Sequence, residues 1–309
     1  MQRRSFIKNT TLTLGALAFL NKNTLASFLN DPAYKIKMLT DNIGVFTERG
    51  GTILFMLGKD GIVVVDAQFP DTAQHCIDEI KKKSNKPFDL LINTHHHGDH
   101  TAGNIAFKGL AAHVLAHENS KKNQLAAAVK NKTEAKQLYP DQTYGKVWSQ
   151  RLSKETVSLQ YLGRGHTDGD SFVHFKKANI VHVGDLVFNR RHPFVDRTAG
   201  ANMMEWIATL EAGVAFFKED TKYVCGHAGS GYDIVITKTD ILMFRDYLKN
   251  VLKLAAKGMS NNISKEQFIK NTKNIPGSPE WKGDGIVRPL EAAWDELKEN
   301  PAEIANLMV

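Results

Sequence analysis

Asp89-Leu90-Leu91-Ile92-Asn93-Thr94 runs directly into His95-His96-His97-Gly98-Asp99-His100. A run this short and apolar, stopped at once by polar residues, reads as a buried strand. Gly98 and the small residues Thr101, Ala102 and Gly103 then predict a tight loop leading into a helix. In open α/β sheets, active sites gather where strand ends hand over to such loops. Imidazole and carboxylate donors together suit zinc. The segment therefore asks for a sheet fold that can present a metal site at its edge.

The rest of the chain supplies the sheets. Thr52–Leu57 and Ile62–Asp66 flank Gly58-Lys59-Asp60-Gly61, a hairpin signal. A helix is predicted over 72–82, a strand over 112–117, and a polar helical stretch to about 136. Residues 137–155 read as an insertion or loop with little core. A second strand-rich half begins near Val157, with strands over 157–162, 171–175, 179–183 and 223–225. Apolar residues at helical spacing predict helices over 203–218 and 241–255. Ser264 with Gln267 has capping-box spacing, and a final helix is predicted near 288–299. The order is strands, helix, strand, and then the same again, which implies two sheet–helix halves packed together.

Three further polar residues stand just past apolar runs. His166 lies in Gly163-Arg164-Gly165-His166-Thr167-Asp168-Gly169-Asp170-Ser171, Asp185 ends Ile180-Val181-His182-Val183-Gly184-Asp185, and His227 follows Tyr223-Val224-Cys225-Gly226. All can converge on one sheet edge. With these motifs in order, the chain resembles the metallo-β-lactamase superfamily from about Ile43 to Leu252. The match lies in the His-x-His-x-Asp-His segment at 95–100, Gly-His-Thr at 165–167, Gly-Asp at 184–185 and Gly-His at 226–227.

That resemblance implies an α/β fold, a four-layer αββα sandwich with its metal site at the edge of the two sheets. It implies two zinc ions: His95, His97 and His166 would hold one, Asp99, His100 and His227 the other, and Asp185 would bridge them. Neutral imidazoles leave the ion a strong Lewis acid. A hydroxide between the two metals would attack a carbonyl, with Asp99 as the catalytic residue that orients it and passes on a proton. An aspartate at 185 is similar to glyoxalase II-like thioesterases and lactonases, where cysteine-containing β-lactamases carry a cysteine. The expected activity is metal-dependent hydrolysis of an ester, lactone, thioester or amide-like bond. The alternatives are a true metallo-β-lactamase and, from another class, a metal-binding protein without catalysis.

Other polar residues carry less. Strand-like alternation turns His96 away from its neighbours, and His113, His117 and His174 read as structural. His182 reads as a packed residue able to support Asp185, and Asp66 as a partner for a ligand histidine. Cys225 reads as a small core residue. Arg190 or Arg191, in a segment that resembles that of periplasmic hydrolases associated with quinoprotein systems, offers a contact for a substrate carboxylate or sulfate. No Gly-x-Ser-x-Gly motif supports serine catalysis.

The N-terminus changes the charge balance. Arg3-Arg4-Ser5-Phe6-Ile7-Lys8, the apolar run from Thr10 to Leu20 and Thr24-Leu25-Ala26 read as a twin-arginine signal peptide over 1–26. The apolar run is too short to span a bilayer. The remaining 27–309 would be the hydrolase domain, with a helical extension from about 258, and would reside in the periplasm without stable membrane insertion. The whole chain carries 40 basic and 33 acidic residues, but four of the basic ones fall within 1–26, which has no acid. Most of the +7 charge therefore belongs to the leader. No basic run interleaved with aromatics remains, which argues against nucleic acid and leaves a small-molecule substrate as the partner. Two cysteines, Cys76 and Cys225, exclude a disulfide framework and leave room for one bridge. Nothing in the sequence indicates an oligomeric state.

Overall fold

The computed structural model describes residues 34–308, so the expected export segment lies outside the described residues. Two mixed sheets form the frame. The first holds β1 (Lys35–Met38), β2 (Ile43–Thr47), β3 (Ile53–Leu57), β4 (Ile62–Val65), β5 (Phe88–Ile92), β6 (Ala111–His117) and β7 (Gln142–Tyr144), in that spatial order. The second runs β13 (Val235–Ile236), β12 (Lys222–Ala228), β11 (Ile180–Asn189), β10 (Phe172–Phe175), β9 (Glu155–Gln160) and β8 (Val147–Leu152). The predicted hairpin closes with Leu57 opposite Ile62 and Gly58 N–H bonded to Gly61 O at 2.9 Å. From β4 to β7 the strands are parallel, so their C-terminal ends lie on one side.

Alternation along the strands creates the layers. Leu54, Met56, Val63, Val65, Leu90 and Ile92 meet Leu159, Val173, Phe175 and Val224 between the sheets. Their neighbours Ile53, Phe55, Ile62, Val64 and Leu91 are equally buried on the opposite face of the first sheet. Helix α1 (Pro70–Lys83) buries Cys76, Ile77 and Ile80, starts with proline in its first turn and ends on Lys81–Lys83, where cations favour the helix dipole. The single turn α2 (Gly98–Thr101), continued by a 3₁₀ segment over Ala102–Phe107, follows β5, and α3 (Glu118–Asn131) follows β6.

On the second sheet, Val181, Val183, Val187 and Tyr223 pack against α4 (Met203–Phe216) and α5 (Lys238–Ser260) through Trp206, Leu210, Phe244, Tyr247 and Leu252. Burial of each such side chain stabilises by about 1.5–3 kcal/mol. Helix α6 (Lys265–Asn271) carries the Ser264–Gln267 capping box. With α7 (Val287–Glu299) it adds Phe268, Leu290, Trp294 and Leu297 to the same core, and α8 (Ala302–Met308) closes the described chain. The fold is thus an αββα sandwich. No helix among the described residues is long and apolar enough to cross a membrane. Cys76 and Cys225 are both buried free thiols, so no bridge joins them.

Two expectations are corrected. Residues 137–155 are not a loop: β7 pairs with β6, and β8 pairs with β9 over its whole length. Both are edge strands, and β8 is largely exposed, so apolar periodicity does not reveal them. The strand expected to stop at Asp185 runs on to Asn189, because Gly184 takes φ +50° and forms a register shift that the strand survives.

Candidate metal centre

The seven side chains proposed from sequence cluster at the strand ends: His97, Asp99, His166, Asp185 and His227 line a cleft, and His95 and His100 are buried beside them. His95 and His97 come from the loop after β5, Asp99 and His100 from α2, His166 from the β9–β10 loop, Asp185 from β11 and His227 from the end of β12. His95, His97 and His166 offer one set of donor atoms close enough to share an ion; Asp99, His100 and His227 offer another. Asp185 lies between them. Its Oδ2 is 3.5 Å from His166 Nε2 and 3.4 Å from His227 Nε2, and its Oδ1 is 3.1 Å from His100 Nε2.

Hydrogen bonds behind the cluster decide which ring nitrogens face it. His97 Nε2 donates to Asp196 Oδ2 at 2.8 Å, His166 Nδ1 to the carbonyl of Phe194 at 2.7 Å, and His100 Nδ1 to Asp66 Oδ2 at 2.7 Å. Thr94 Oγ1 gives its proton to Asp66 Oδ2, so it accepts from His95 Nδ1 at 3.1 Å. With those protons turned outward, His97 Nδ1, His166 Nε2 and His95 Nε2 present lone pairs inward, and Nε2 is the His100 nitrogen that faces the cluster. Metal-binding imidazoles adopt this arrangement, with an outer acceptor fixing the tautomer. His97 Nδ1 and His166 Nε2 stand 2.7 Å apart, and His95 Nε2 and Asp185 Oδ1 are buried without hydrogen-bond partners. His100 Nε2 stands 3.1 Å from that Oδ1. Facing lone pairs and orphaned acceptors are costly unless a cation joins them. The donor set therefore fits metal binding.

The electrostatics divide the histidines. Burial drives His95 well below the usual imidazole range and His166 down to about 3, keeping both neutral. Burial also opposes charge on His100 and His227. For these the carboxylates around them win, Asp185 foremost, raising His100 well above its ordinary value and His227 to about 8. Asp99 and Asp185 pay a burial penalty too, but His100 and His227 hold both below the usual carboxylate range.

The surroundings fix these residues in place. Asp66 is fully buried at φ +63° and also accepts Thr94 N–H at 2.8 Å. His182 donates from Nε2 to Thr52 O and accepts Gly184 N–H at Nδ1, pinning the bulge that carries Asp185. A Cβ on Gly226 would stand 2.0 Å from Asp185 Oδ1, so only glycine fits there. Asp170 holds Thr167 N–H and Oγ1, bracing the His166 loop, and burial pushes its carboxyl up to about 8. His96 is outside both of these donor sets, but with His97 and Asp196, 3.7 Å away, it forms a further group of donor atoms close enough to share an ion. His117 caps α3, His113 pairs with Asp141 at the surface, and Cys225 donates to His227 O in the core.

Residues 46–227, more than half of the chain, match the model of the metallo-β-lactamase superfamily. The chain belongs to the metallo-β-lactamase superfamily. As a member it is a metal-dependent hydrolase. It is 26% identical over 207 residues to metallo-β-lactamase IND-1 of Chryseobacterium indologenes, an alignment covering 65% of this chain and 82% of that one. The metallo-β-lactamase type 2 of Elizabethkingia meningoseptica is 24% identical, covering 63% and 79%. A metallo-β-lactamase from Pontibacter korlensis superposes with a TM-score of 0.60 at 18% identity, over 70% of this chain and 99% of that one. The sec-alkylsulfatase Pisa1 from Pseudomonas sp. superposes at 0.69 and 13% identity, over 90% of this chain and 56% of its own. At such identities the two superpositions speak for the fold alone.

The superfamily cleft has a volume of about 290 Å³ and is walled by Phe188, His192 and Phe194, with Arg191 and Arg288 also lining it. Arg190, one of two arginines singled out from sequence, is not in it. That guanidinium pairs with Asp240 at 2.5 Å and lies over Tyr232 and Trp281. Asp196, Thr94 and Arg288 were not legible as site residues. Asp196 has the one available signal, its place in the polar segment that follows the Asp185 strand.

Proposed function

We propose that this chain is an exported, zinc-dependent hydrolase that cleaves an ester, lactone, thioester or amide-like bond in a small molecule. The carrying observation is the set of four imidazoles that each anchor one ring nitrogen on an outer acceptor and turn the other toward Asp185 and its neighbours. In this reading His95, His97 and His166 would hold one zinc and Asp99, His100 and His227 the second, with Asp185 available to both. Mixed imidazole and carboxylate donors favour zinc. When bound, the two ions would supply Lewis acidity to polarise a carbonyl and to make water nucleophilic near neutral pH.

The chain's own residues do the rest. Asp99 is the half-exposed acid of the set, with its carboxylate 3.1 Å from His227 Nε2 and facing the cleft. That position suits it to take a proton from the attacking water and give it to the leaving group. Asp66, Thr94 and Asp196 hold the ligand rings in the required tautomers. Phe188 and Phe194 exclude water from one wall. A cleft of about 290 Å³ sits at the small end of ligand sites, in keeping with a compact substrate. The curated relatives carry the name metallo-β-lactamase, which favours β-lactams as the second reading. Residues 1–26 are proposed as the twin-arginine leader that delivers 27–309 to the periplasm.

The test is turnover of a chromogenic cephalosporin and a panel of nitrophenyl esters, thioesters and lactones by the zinc-loaded protein, before and after chelation. Chelator-sensitive turnover of an ester, thioester or lactone supports the main reading, and turnover of the cephalosporin alone moves β-lactams to first place. No turnover by folded, metal-loaded protein overturns the proposal.

A further inference from the structure

A second recess opens at the other end of the two sheets, where the β3–β4 hairpin, the β8–β9 turn and the β10–β11 turn meet. Its volume is about 490 Å³, against about 290 Å³ for the metal cleft, and the two share no lining residue. Ala178, on its wall, precedes β11, and Asp185 stands roughly 20 Å further along that strand. The floor is apolar. Met56 belongs to the core between the sheets, and Leu152 and Ala178 pack against that core half-buried. The recess is therefore the open end of the inter-sheet core. Hydrogen bonds tie its turns to one another. Ser153 Oγ accepts Asp60 N–H at 3.0 Å, and the Glu155 carboxylate accepts the N–H groups of Lys177 and Ala178 at 2.7 and 3.0 Å. These bonds fix the walls and engage Glu155, the acid among the lining residues. Lys59, Lys154 and Lys177 stand exposed on the rim, and none has a carboxylate partner among the described residues. Lys81, Lys83 and Lys86 extend the positive charge around Leu57 and Gly58.

We propose that this recess binds a free fatty acid of medium length, its hydrocarbon tail on Met56, Leu57, Leu152 and Ala178 and its carboxylate among Lys59, Lys154 and Lys177. Small-molecule sites are concave and mostly apolar, with a few polar groups that orient the ligand, and the volume here lies within their range. The floor takes the tail, because each methylene that covers it leaves water. The lysines reach over the rim on flexible stems and offer ammonium donors to an anion. Three cations without a counter-charge, beside a further lysine face, select an anionic head over a neutral or cationic one. A recess, in contrast to a protruding apolar surface, suits one free molecule better than a bilayer. The site stands apart from the metal centre and does not depend on the hydrolase reading.

Zinc-loaded wild-type protein and the Lys59→Ala/Lys154→Ala/Lys177→Ala variant are titrated calorimetrically with decanoate, butyrate and decylamine. All three lysines are exposed, so their removal leaves the core untouched. Decanoate should bind wild type at least roughly tenfold more tightly than the variant, and at least roughly tenfold more tightly than butyrate does. Decylamine should show no preference for wild type. In methyl NMR of wild type, decanoate should shift the Met56 and Ala178 methyl signals. A carboxylate bound at the zinc site instead would bind both proteins alike and leave those methyls in place. Equal decanoate binding to the two proteins, or unmoved Met56 and Ala178 methyls, overturns the proposal. Lysine-dependent sedimentation with phosphatidylglycerol vesicles, with no methyl shift from decanoate, would assign the lysines to a membrane surface and overturn it as well.

Discussion

Replacing Asp66 with asparagine tests the tautomer argument without removing a proposed ligand. Asp66 is buried and accepts three bonds, from Thr94 N–H at 2.8 Å, Thr94 Oγ1 at 2.8 Å and His100 Nδ1 at 2.7 Å. Asparagine tolerates the φ of +63° at this position, so the backbone has no reason to move. Its amide, however, has one oxygen. With that oxygen toward Thr94 N–H, the NH₂ faces His100 Nδ1, which must give up its proton. The proton then sits on Nε2 and removes the lone pair aimed at Asp185 and His227. With the amide flipped, a buried backbone N–H meets an NH₂ and loses its acceptor. The first outcome weakens metal binding by about 10- to 100-fold, or about 1.4–2.7 kcal/mol. The second costs the fold about 1–3 kcal/mol. Zinc titration with a competing chromophoric chelator reads the first, and thermal unfolding of the metal-free protein reads the second. D66N with wild-type zinc affinity and wild-type stability would refute the reasoning.

Three further outcomes are expected. Asp99→Asn should lower kcat by roughly 100- to 10,000-fold while the metal-free protein melts near the wild-type metal-free temperature, because its carboxylate faces the cleft rather than the core; a loss below about tenfold removes Asp99 from proton transfer. Gly184→Ala should destabilise by roughly 2–5 kcal/mol in denaturant unfolding, since its Cβ would stand 2.5 Å from Thr94 Oγ1 at a φ of +50°; a change under about 1 kcal/mol contradicts the strain. Stripping metal with a chelator should abolish turnover and lower the melting temperature by on the order of 10 °C, with both restored by zinc; unchanged melting would mean that the donor cluster does not bind the ion tightly.

What the sequence made legible is what local chemistry determines. Ile62–Val65 and Leu90–Ile92 are apolar without interruption because both faces of β4 and β5 are covered. The Ser264–Gln267 cap needs only four residues to declare itself. The donor residues were legible because each stands directly at or beside a strand end. Other parts depend on chain segments that meet only after folding. Asp196 lies within 2.8 Å of His97, a residue 99 positions earlier, only because β11 and its following loop bring it there. Arg288 reaches the cleft only because α7 packs on the core through Leu290 and Trp294. Edge strand β8 hides for the opposite reason: it buries too little for periodicity to register.

Asp185 shows how a break in regularity makes the site. Val181 and Val183 point to the helix-covered face of the second sheet, and Ile180 points between the sheets. Strict alternation would send Asp185 after Val181 and Val183, into a core built from Trp206, Leu210 and Phe244. An unpaired carboxylate there would be prohibitively costly. Instead the register shifts at Gly184, whose left-handed backbone turns the following residue toward His100, His166 and His227. His182 secures the turn by accepting the Gly184 N–H while bonding Thr52 O on β3's approach, in the other sheet's half of the chain. Thr52 in turn bonds Gly226 O, next to His227. The bulge, the donor beside it and the strand end carrying the next donor are therefore locked to one another. Any change that restores a regular β11 would move Asp185 and slacken His227 together, so the two halves of the proposed metal centre should fail as one unit.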